Sequence, residues 1–198
     1  MNLRVLFFVC EFLTVGLSGF AQGVKFRDIS FAEALQAAKA ENKMVFMDCY
    51  TSWCGPCKQM ERDIFPQEMV GMYMNERFVC VKYDMEKGEG IELKKQHEVY
   101  SYPTFLVIDA EGTMVHRFVG ARSANDLLCE LNYDPSQAWG SIQASYDSGE
   151  RDKDFLLKYL NLLLRASDKK AGKVASELFA VLGDEERMAG EYAFLFRD

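Results

Sequence analysis

The stretch Trp53-Cys54-Gly55-Pro56-Cys57 organises this chain, because two cysteines two residues apart form a dithiol that can close into a disulfide. Before it runs Met44-Val45-Phe46-Met47-Asp48-Cys49-Tyr50, a nearly continuous apolar stretch typical of a strand buried on both faces. After it, residues 58–65 contain no glycine or proline and are predicted to be helical, with Met60 and Ile64 facing inward. The sequence therefore predicts that the dithiol lies where a buried strand ends and a helix begins.

The start of a helix gives the two cysteines different chemical roles. Its unpaired N–H groups and partial positive charge stabilise a thiolate relative to a thiol. We predict that Cys54 is the exposed nucleophile that attacks a partner disulfide. Cys57, one turn further along, is predicted to be the resolving thiol, which attacks the mixed disulfide and releases the reduced product. Pro56 suits this position, because a residue in the first turn of a helix needs no N–H donor.

A Cys-x-x-Cys pair also occurs in zinc sites and in structural bridges, so its spacing alone leaves these alternatives open. Zinc needs further cysteine or histidine ligands, and this chain has no second Cys-x-x-Cys. Its two histidines, His97 and His116, are single and far apart in the sequence. We therefore expect no bound metal and no cofactor.

Composition narrows the range of partners. The chain has 198 residues, and 49% of them are hydrophobic, which is enough for a packed core. A formal net charge of −7 argues against binding to nucleic acid and to anionic membrane surfaces. Six cysteines at irregular spacings are too few for a disulfide scaffold in a chain of this length.

The first 21 residues are predicted to be a removable signal peptide. Arg4 provides a positive start, residues 5–17 form an apolar stretch, and Gly19-Phe20-Ala21 places small residues before a cleavage point at Gln22. An uncleaved helical anchor is the alternative, because Glu11 interrupts the apolar stretch. Beyond these residues no apolar run approaches the roughly 20 residues of a membrane span. We therefore expect an exported protein located in the bacterial periplasm.

The rest of the chain alternates helical and strand patterns. Ser30 and Glu33 form a capping box that starts a helix ending near Asn42. Strands are predicted at residues 44–50, 78–84, 104–108 and 113–119, and further helices at 66–74, at 89–97 and from Ser123 onward. A helical connection makes the first two strands parallel, whereas the short turn at residues 109–112 makes the last two antiparallel. These elements predict an α/β fold in which a mixed sheet is covered by helices on both faces.

The residues at and around the dithiol resemble those of the thioredoxin-fold family. The string from Trp53 to Lys58 is the active-site string of thioredoxins. Asp48 and Lys82 match the family's buried carboxylate and its usual lysine partner. Tyr102-Pro103-Thr104 matches the loop whose proline is cis and faces the dithiol, and Val119-Gly120-Ala121 matches the segment before the last helix. The spacings are more similar to the C-terminal domain of the periplasmic transmembrane thiol reductase than to cytosolic thioredoxin.

This resemblance, which spans about residues 26–131, implies a fold, an activity and a set of site residues. It implies a thioredoxin-like domain over residues 22–132 that acts as a thiol–disulfide oxidoreductase. The Gly-Pro pair between the cysteines favours a reductant, and an oxidase or isomerase of the same fold is the alternative. The implied partners are a disulfide-containing protein substrate and an upstream thiol electron donor, such as a membrane thiol reductase. The implied catalytic residues are Cys54, Cys57, Asp48 and Lys82, and the implied substrate-binding residues are Trp53, Gly55, Pro56, Tyr102 and Pro103.

Four residues differ from the family pattern or add to it. Tyr50 stands where thioredoxins usually carry tryptophan. Cys49 and Cys80 lie in adjacent predicted strands, and we expect both to be small buried side chains, with a second redox pair as the alternative. Cys129 is also expected to face the core.

Residues 133–198 extend beyond the resemblance and are predicted to form an all-α extension of helical hairpins. Asp134-Pro135 is predicted to start its first helix, and Asp152, Asp168 and Asp184, spaced 16 residues apart, have the pattern of N-cap residues. This pitch hints at a helical repeat. We expect a cap packed on the sheet domain, with a docking surface for a partner as the alternative. A non-enzymatic interaction module using this extension would not need the dithiol together with its carboxylate and proline, so we favour the enzyme.

Overall fold

A computed structural model of the chain describes residues 23–133 and 138–187. The predicted signal peptide and Asp134-Pro135 lie outside these ranges. Nowhere in the described ranges does a helix combine the length and the apolar character that a membrane crossing requires. The helices and strands are, in chain order, α1 Phe31–Glu41, β1 Met44–Tyr50, α2 Gly55–Gln59, α3 Glu68–Arg77, β2 Phe78–Asp84, α4 Gly90–Gln96, β3 Thr104–Ile108, β4 Met114–Val119, α5 Ala124–Leu131, α6 Trp139–Asp147, α7 Lys153–Arg165, α8 Ala171–Val181 and α9 Asp184–Arg187.

The strands of the described residues form one mixed sheet with the order β2-β1-β3-β4. β1 pairs in parallel with β2 and antiparallel with β3, and β3 pairs antiparallel with β4. The predicted strand directions are therefore confirmed, and β4 begins one residue later than predicted, at Met114. β1 is a central strand, which explains why its sequence is apolar almost throughout.

Alternate residues of β1 point to opposite faces of the sheet, and each face has its own core. Val45, Met47 and Cys49 belong to the core that α1 and α4 cover. Phe46 belongs to the opposite core, which α3 and α5 cover. Its ring stacks on the Phe105 ring with 5.6 Å between the ring centroids. The prediction of helices on both faces is confirmed.

The helix after the dithiol differs from the uniform helix that was predicted. α2 ends at Gln59 and continues as a π-helical turn, Met60–Ile64, in which the two terminal residues are buried as predicted. α3 then runs to Arg77, beyond the predicted end at residue 74. Asn75 lies within this helix, and its side chain accepts a hydrogen bond from the Lys25 N–H (2.8 Å) that anchors the N-terminal segment.

The extension packs along the β4 edge of the sheet. Residues of α6, α7 and α8 form a third core, which Met114 of β4 also contacts. The contact is close at Gly140 of α6, where a Cβ atom would lie 3.1 Å from the carbonyl oxygen of Met114. The side chain of Asp152 accepts hydrogen bonds from the N–H groups of Asp154 and Phe155, so its predicted N-cap role is confirmed.

Of the other two predicted N-caps of the extension, Asp168 is confirmed in part and Asp184 is wrong. Lys170 directly precedes α8, but the Asp168 carboxylate accepts a hydrogen bond from the Lys170 N–H at 2.8 Å and so caps the turn that leads into this helix. The same carboxylate is buried 3.9 Å from Arg117 of β4. Asp184 lies within α9 and contacts Arg187 (3.3 Å). The buried Asp168 carboxylate also provides the counter-charge that the buried Arg117 guanidinium requires. The three aspartates at this pitch therefore have different roles.

Candidate active site

The dithiol lies at the N-terminus of α2, where Cys54 and Cys57 are joined by a disulfide. Cys54 is the N-cap residue, and its Sγ accepts a hydrogen bond from the Cys57 N–H at 3.1 Å. Gly55 and Pro56 form the exposed first turn, and a Cβ atom at Gly55 would meet nothing within 4 Å. A partner protein therefore has open access to this turn, and the helix N-terminus is placed to stabilise a thiolate once the disulfide is reduced.

Both cysteines lie below the surface in the oxidised protein. Cys54 is 3% exposed and Cys57 is 5% exposed, so the prediction of an exposed Cys54 is wrong in this state. The Cys54 sulfur is engaged both in the disulfide and in the N-cap hydrogen bond. The two sulfurs still have different surroundings, since Cys57 lines the cavity described below and Cys54 does not.

Asp48 supplies a buried carboxyl group beside the dithiol. It is the third residue from the end of β1, on the same face as Phe46, and is 4% exposed. Its Oδ1 has no hydrogen-bond partner among the described residues. Burial raises the pKa of Asp48 to about 7, because desolvation penalises the charged form. This carboxyl group can therefore accept or release a proton near neutral pH.

Lys82 does not form the predicted ion pair with Asp48. The two residues are neighbours in the register of β1 and β2, but the Lys82 ammonium binds the carboxylate of Glu61 in the π-helical turn. Both members of this pair remain partly exposed and hydrated, whereas pairing with Asp48 would desolvate the ammonium. The charge of Lys82 still lowers the pKa of Asp48 and that of Glu61 raises it, although burial has the larger effect.

Glu61 is the site residue that sequence analysis missed. It lies four residues after Cys57, so one helical turn places it on the same side of the helix. That spacing is the signal that could have identified it. The sequence spacing did not predict that Glu61 pairs with Lys82.

A cavity of about 810 Å³ opens beside Asp48 and Cys57. Lys82 and Glu61 also line it, and residues 23–26 form one wall. A hydrogen bond from the Val24 N–H to the Phe65 carbonyl (2.7 Å) holds this wall in place. Its apolar walls include Phe26, Tyr50, Phe65 and Pro66. Because Asp48 and Cys57 line the same cavity, a water molecule in it could carry a proton between the two residues.

The loop before β3 lies against Trp53, the residue preceding the dithiol. The Tyr102–Pro103 peptide bond is cis, which confirms the prediction. The Tyr102 ring packs edge-on against the Trp53 ring at 5.9 Å between centroids, and the Trp53 indole N–H donates to Glu86 at 2.9 Å. The Pro103 carbonyl accepts a hydrogen bond from the Gly120 N–H at 2.8 Å. Tertiary structure thus brings together the predicted substrate-binding residues from two separate segments.

The remaining cysteines of the described residues do not form a second redox pair. Cys49 and Cys80 are buried as expected, but they belong to cores on opposite faces of the sheet. Burial raises the pKa of Cys49 and raises the pKa of Cys80 to about 12. Cys129 is exposed, contrary to expectation, because Leu127 and Leu131 form the buried side of α5.

The chain is similar to known proteins over the part that carries this site. The family model of the thioredoxin-like domain matches residues 31–134, so the match ends at the start of the extension. A thioredoxin-like protein of Synechocystis sp. is 35% identical over 108 residues, which cover 54% of this chain and 94% of that protein. The solution structure of a candidate disulphide-isomerase from Bacteroides thetaiotaomicron has 48% identity and a TM-score of 0.52, covering 57% of this chain and 93% of that one. The thiol:disulfide interchange protein DsbD of Pseudomonas fluorescens is 31% identical over 98 residues, which are 48% of this chain and 17% of that protein.

Proposed function

The chain belongs to the thioredoxin-like domain family and is a thiol–disulfide oxidoreductase, and from this premise we propose that it is an exported reductant of protein disulfides. The observation that carries the proposal is the Cys54–Cys57 pair at a helix N-terminus, with Cys57 and the Asp48 carboxyl group lining one cavity. We assign catalytic roles to Cys54, Cys57 and Asp48.

The first step is an attack by the Cys54 thiolate on one sulfur of the substrate disulfide. The substrate S–S bond breaks, one substrate thiolate leaves, and Cys54 becomes joined to the other sulfur as a mixed disulfide. The N–H groups at the start of α2 stabilise the attacking thiolate. Trp53, Tyr102 and Pro103 form the surface that receives the substrate chain beside the disulfide.

The second step is the attack of Cys57 on the Cys54 sulfur of the mixed disulfide. Asp48 accepts the Cys57 proton, the second substrate thiolate leaves, and the Cys54–Cys57 disulfide forms. The dithiol has then given two electrons to the substrate, and an upstream thiol donor must reduce it again. Lys82 and Glu61 act on this step indirectly, because their charges shift the pKa of Asp48 in opposite directions.

A reducing role follows from the modest stabilisation of the Cys54 thiolate. A strongly stabilised thiolate favours the reduced dithiol and so makes the pair an oxidant. Between the cysteines there are only Gly55 and Pro56, and Lys58, the nearest cation in sequence, is exposed. The helix N-terminus is thus the main stabilising influence at this position, as in the reducing members of the family.

Export is supported by the signal-peptide pattern of the first 21 residues and by the similarity to DsbD. We accordingly propose a bacterial periplasmic protein with a thioredoxin-like domain at residues 22–132 and a helical extension at residues 133–198. A membrane thiol reductase is the proposed electron donor.

The redox potential of the Cys54–Cys57 pair tests this proposal. We expect a potential below about −220 mV in a glutathione buffer, together with reduction of insulin when a thiol donor is supplied. Cys129→Ser is the matched control, since it removes an exposed cysteine outside the dithiol and should leave the potential unchanged. A potential near −120 mV would make the protein an oxidase.

Disulfide isomerisation is the second candidate, because the Bacteroides thetaiotaomicron structure bears that description at 48% identity. An isomerase rearranges the disulfides of a scrambled protein without net consumption of the donor. A potential near about −180 mV together with such rearrangement would favour it over the reductant.

A further inference from the structure

Arg117 of β4 is a buried cation between the sheet and the extension. Its side chain is 2% exposed and lies 3.9 Å from the Asp168 carboxylate, which is 4% exposed and belongs to the turn between α7 and α8. The same guanidinium donates to the carbonyls of His97 (3.3 Å) and Glu98 (2.9 Å) and lies 5.5 Å from the centre of the Trp139 ring. Because a buried charge is costly unless it is paired, these contacts fix the extension against the loop that follows α4.

Lys169 makes a second contact between the extension and the same loop. Its ammonium lies 2.6 Å from the Glu98 carboxylate and donates to the Tyr100 hydroxyl at 3.0 Å. The Lys169 side chain is 62% exposed, so this contact adds little to the stability of the fold. The contact instead holds the loop in a defined position.

The loop held in this way leads directly to the substrate-binding residues. Only Ser101 separates Tyr100 from Tyr102, whose ring packs against Trp53 beside the dithiol. The Ser101 carbonyl accepts a hydrogen bond from the Thr104 hydroxyl at 2.7 Å, which restrains the intervening backbone. Two residues of chain span at most about 7 Å, so the position of Tyr100 restricts the positions that are open to Tyr102.

We propose that the helical extension positions the substrate-binding loop through Lys169, while the buried Arg117–Asp168 pair fixes the extension in place. Lys169 is a positioning residue, since it contacts Glu98 and Tyr100 and not the reacting sulfurs. The inference rests on the proposed function, because it assigns the loop to the binding of a disulfide-containing protein. It gives a role to a part of the chain that lies beyond the family match.

The test compares Lys169→Ala with Lys169→Arg and with Lys173→Ala in the full chain. Lys173 is the matched control, because it is 70% exposed and its ion pair, with Glu177 at 3.7 Å, lies within the extension. Reduced protein is assayed with insulin and with 5,5′-dithiobis(2-nitrobenzoate), a small disulfide that needs no bound polypeptide. We expect Lys169→Ala to raise KM for insulin by about three- to tenfold, which corresponds to the loss of about one contact between the loop and the insulin chain. The kcat for insulin, the rate with the small disulfide and the redox potential should not change, and Lys169→Arg should restore KM.

Equal KM values in Lys169→Ala and Lys173→Ala would overturn the inference, as would an equal loss on both substrates. Amide chemical shifts of the oxidised proteins decide the matter independently of turnover. Lys169→Ala should shift the signals of Tyr102, Thr104 and the Trp53 indole N–H, and changes that end at Tyr100 would overturn the inference. A wild-type protein that reduces no protein disulfide would contradict the proposed function, whereas these shifts would still show whether the extension positions the loop.

Discussion

Replacement of Asp48 by asparagine should stabilise the oxidised protein at alkaline pH and have little effect at acidic pH. Burial raises the pKa of this carboxyl group from its ordinary value of 3.8 to about 7. Between these pH values the folded protein retains a proton that the unfolded chain releases, so the contribution of Asp48 to stability falls as pH rises. Above pH 7 the accumulated penalty is about 4 kcal/mol, at about 1.36 kcal/mol per pH unit.

An asparagine at this position removes the ionisation but still buries a polar amide. We therefore expect Asp48→Asn to raise the free energy of unfolding at pH 8 by about 2–4 kcal/mol, and to change it little at pH 4. Guanidinium unfolding of the oxidised proteins at the two pH values, followed by far-UV circular dichroism, measures this difference. Asp63→Asn is the control, because hydrogen bonds from Arg62 lower the pKa of Asp63, and its removal should give no gain at pH 8.

Two results would contradict this account of Asp48. One is an asparagine variant that is less stable than the wild type at pH 8, and the other is a gain in stability of the same size at pH 4.

The same substitution has a kinetic consequence. Asp48→Asn should slow the resolution of the mixed disulfide by about 10²-fold and leave the first attack nearly unchanged. Equal slowing of both steps would indicate a structural role for the carboxyl group.

Two further predictions concern the roles of the cysteines and the charges around Asp48. Cys57→Ala should trap a mixed disulfide between Cys54 and a substrate protein, and Cys54→Ala should trap none. Mass spectrometry of non-reduced complexes detects the trapped species. Trapping by Cys54→Ala would reverse the roles of the two cysteines. Lys82→Met should raise the pKa of Asp48, because the Lys82 charge lowers it, so the pH at which resolution reaches half its maximal rate should rise. Glu61→Gln should move that pH downward, and shifts of the same sign in both variants would show that the two charges do not act on Asp48 as the structure implies.

Local patterns in the sequence were sufficient for the strands and for the dithiol. The apolar run of β1 and the capping box of α1 involve residues close in sequence, and both appear in the structure as predicted. The cis bond before Pro103 was predicted by resemblance alone, since no local propensity requires it. The placement of Asp48 beside the dithiol was likewise predicted by resemblance, and the structure has this residue in the strand that precedes the helix that Cys54 caps.

Tertiary structure alone decided which charged side chains pair and which cysteines are buried. Lys82 binds Glu61 rather than Asp48, because an ammonium is more stable where it remains hydrated. The exposure of each carboxylate depends on how the π-helical turn packs on the sheet. Asp168 caps the turn before α8, as its local pattern indicates, but its pairing with Arg117, 51 positions earlier in the sequence, arises only because the extension docks on β4 and buries that guanidinium. The periodicity of a sequence identifies the face of an element on which a side chain lies. Which charged groups pair depends instead on the cost of removing them from water where two distant elements meet.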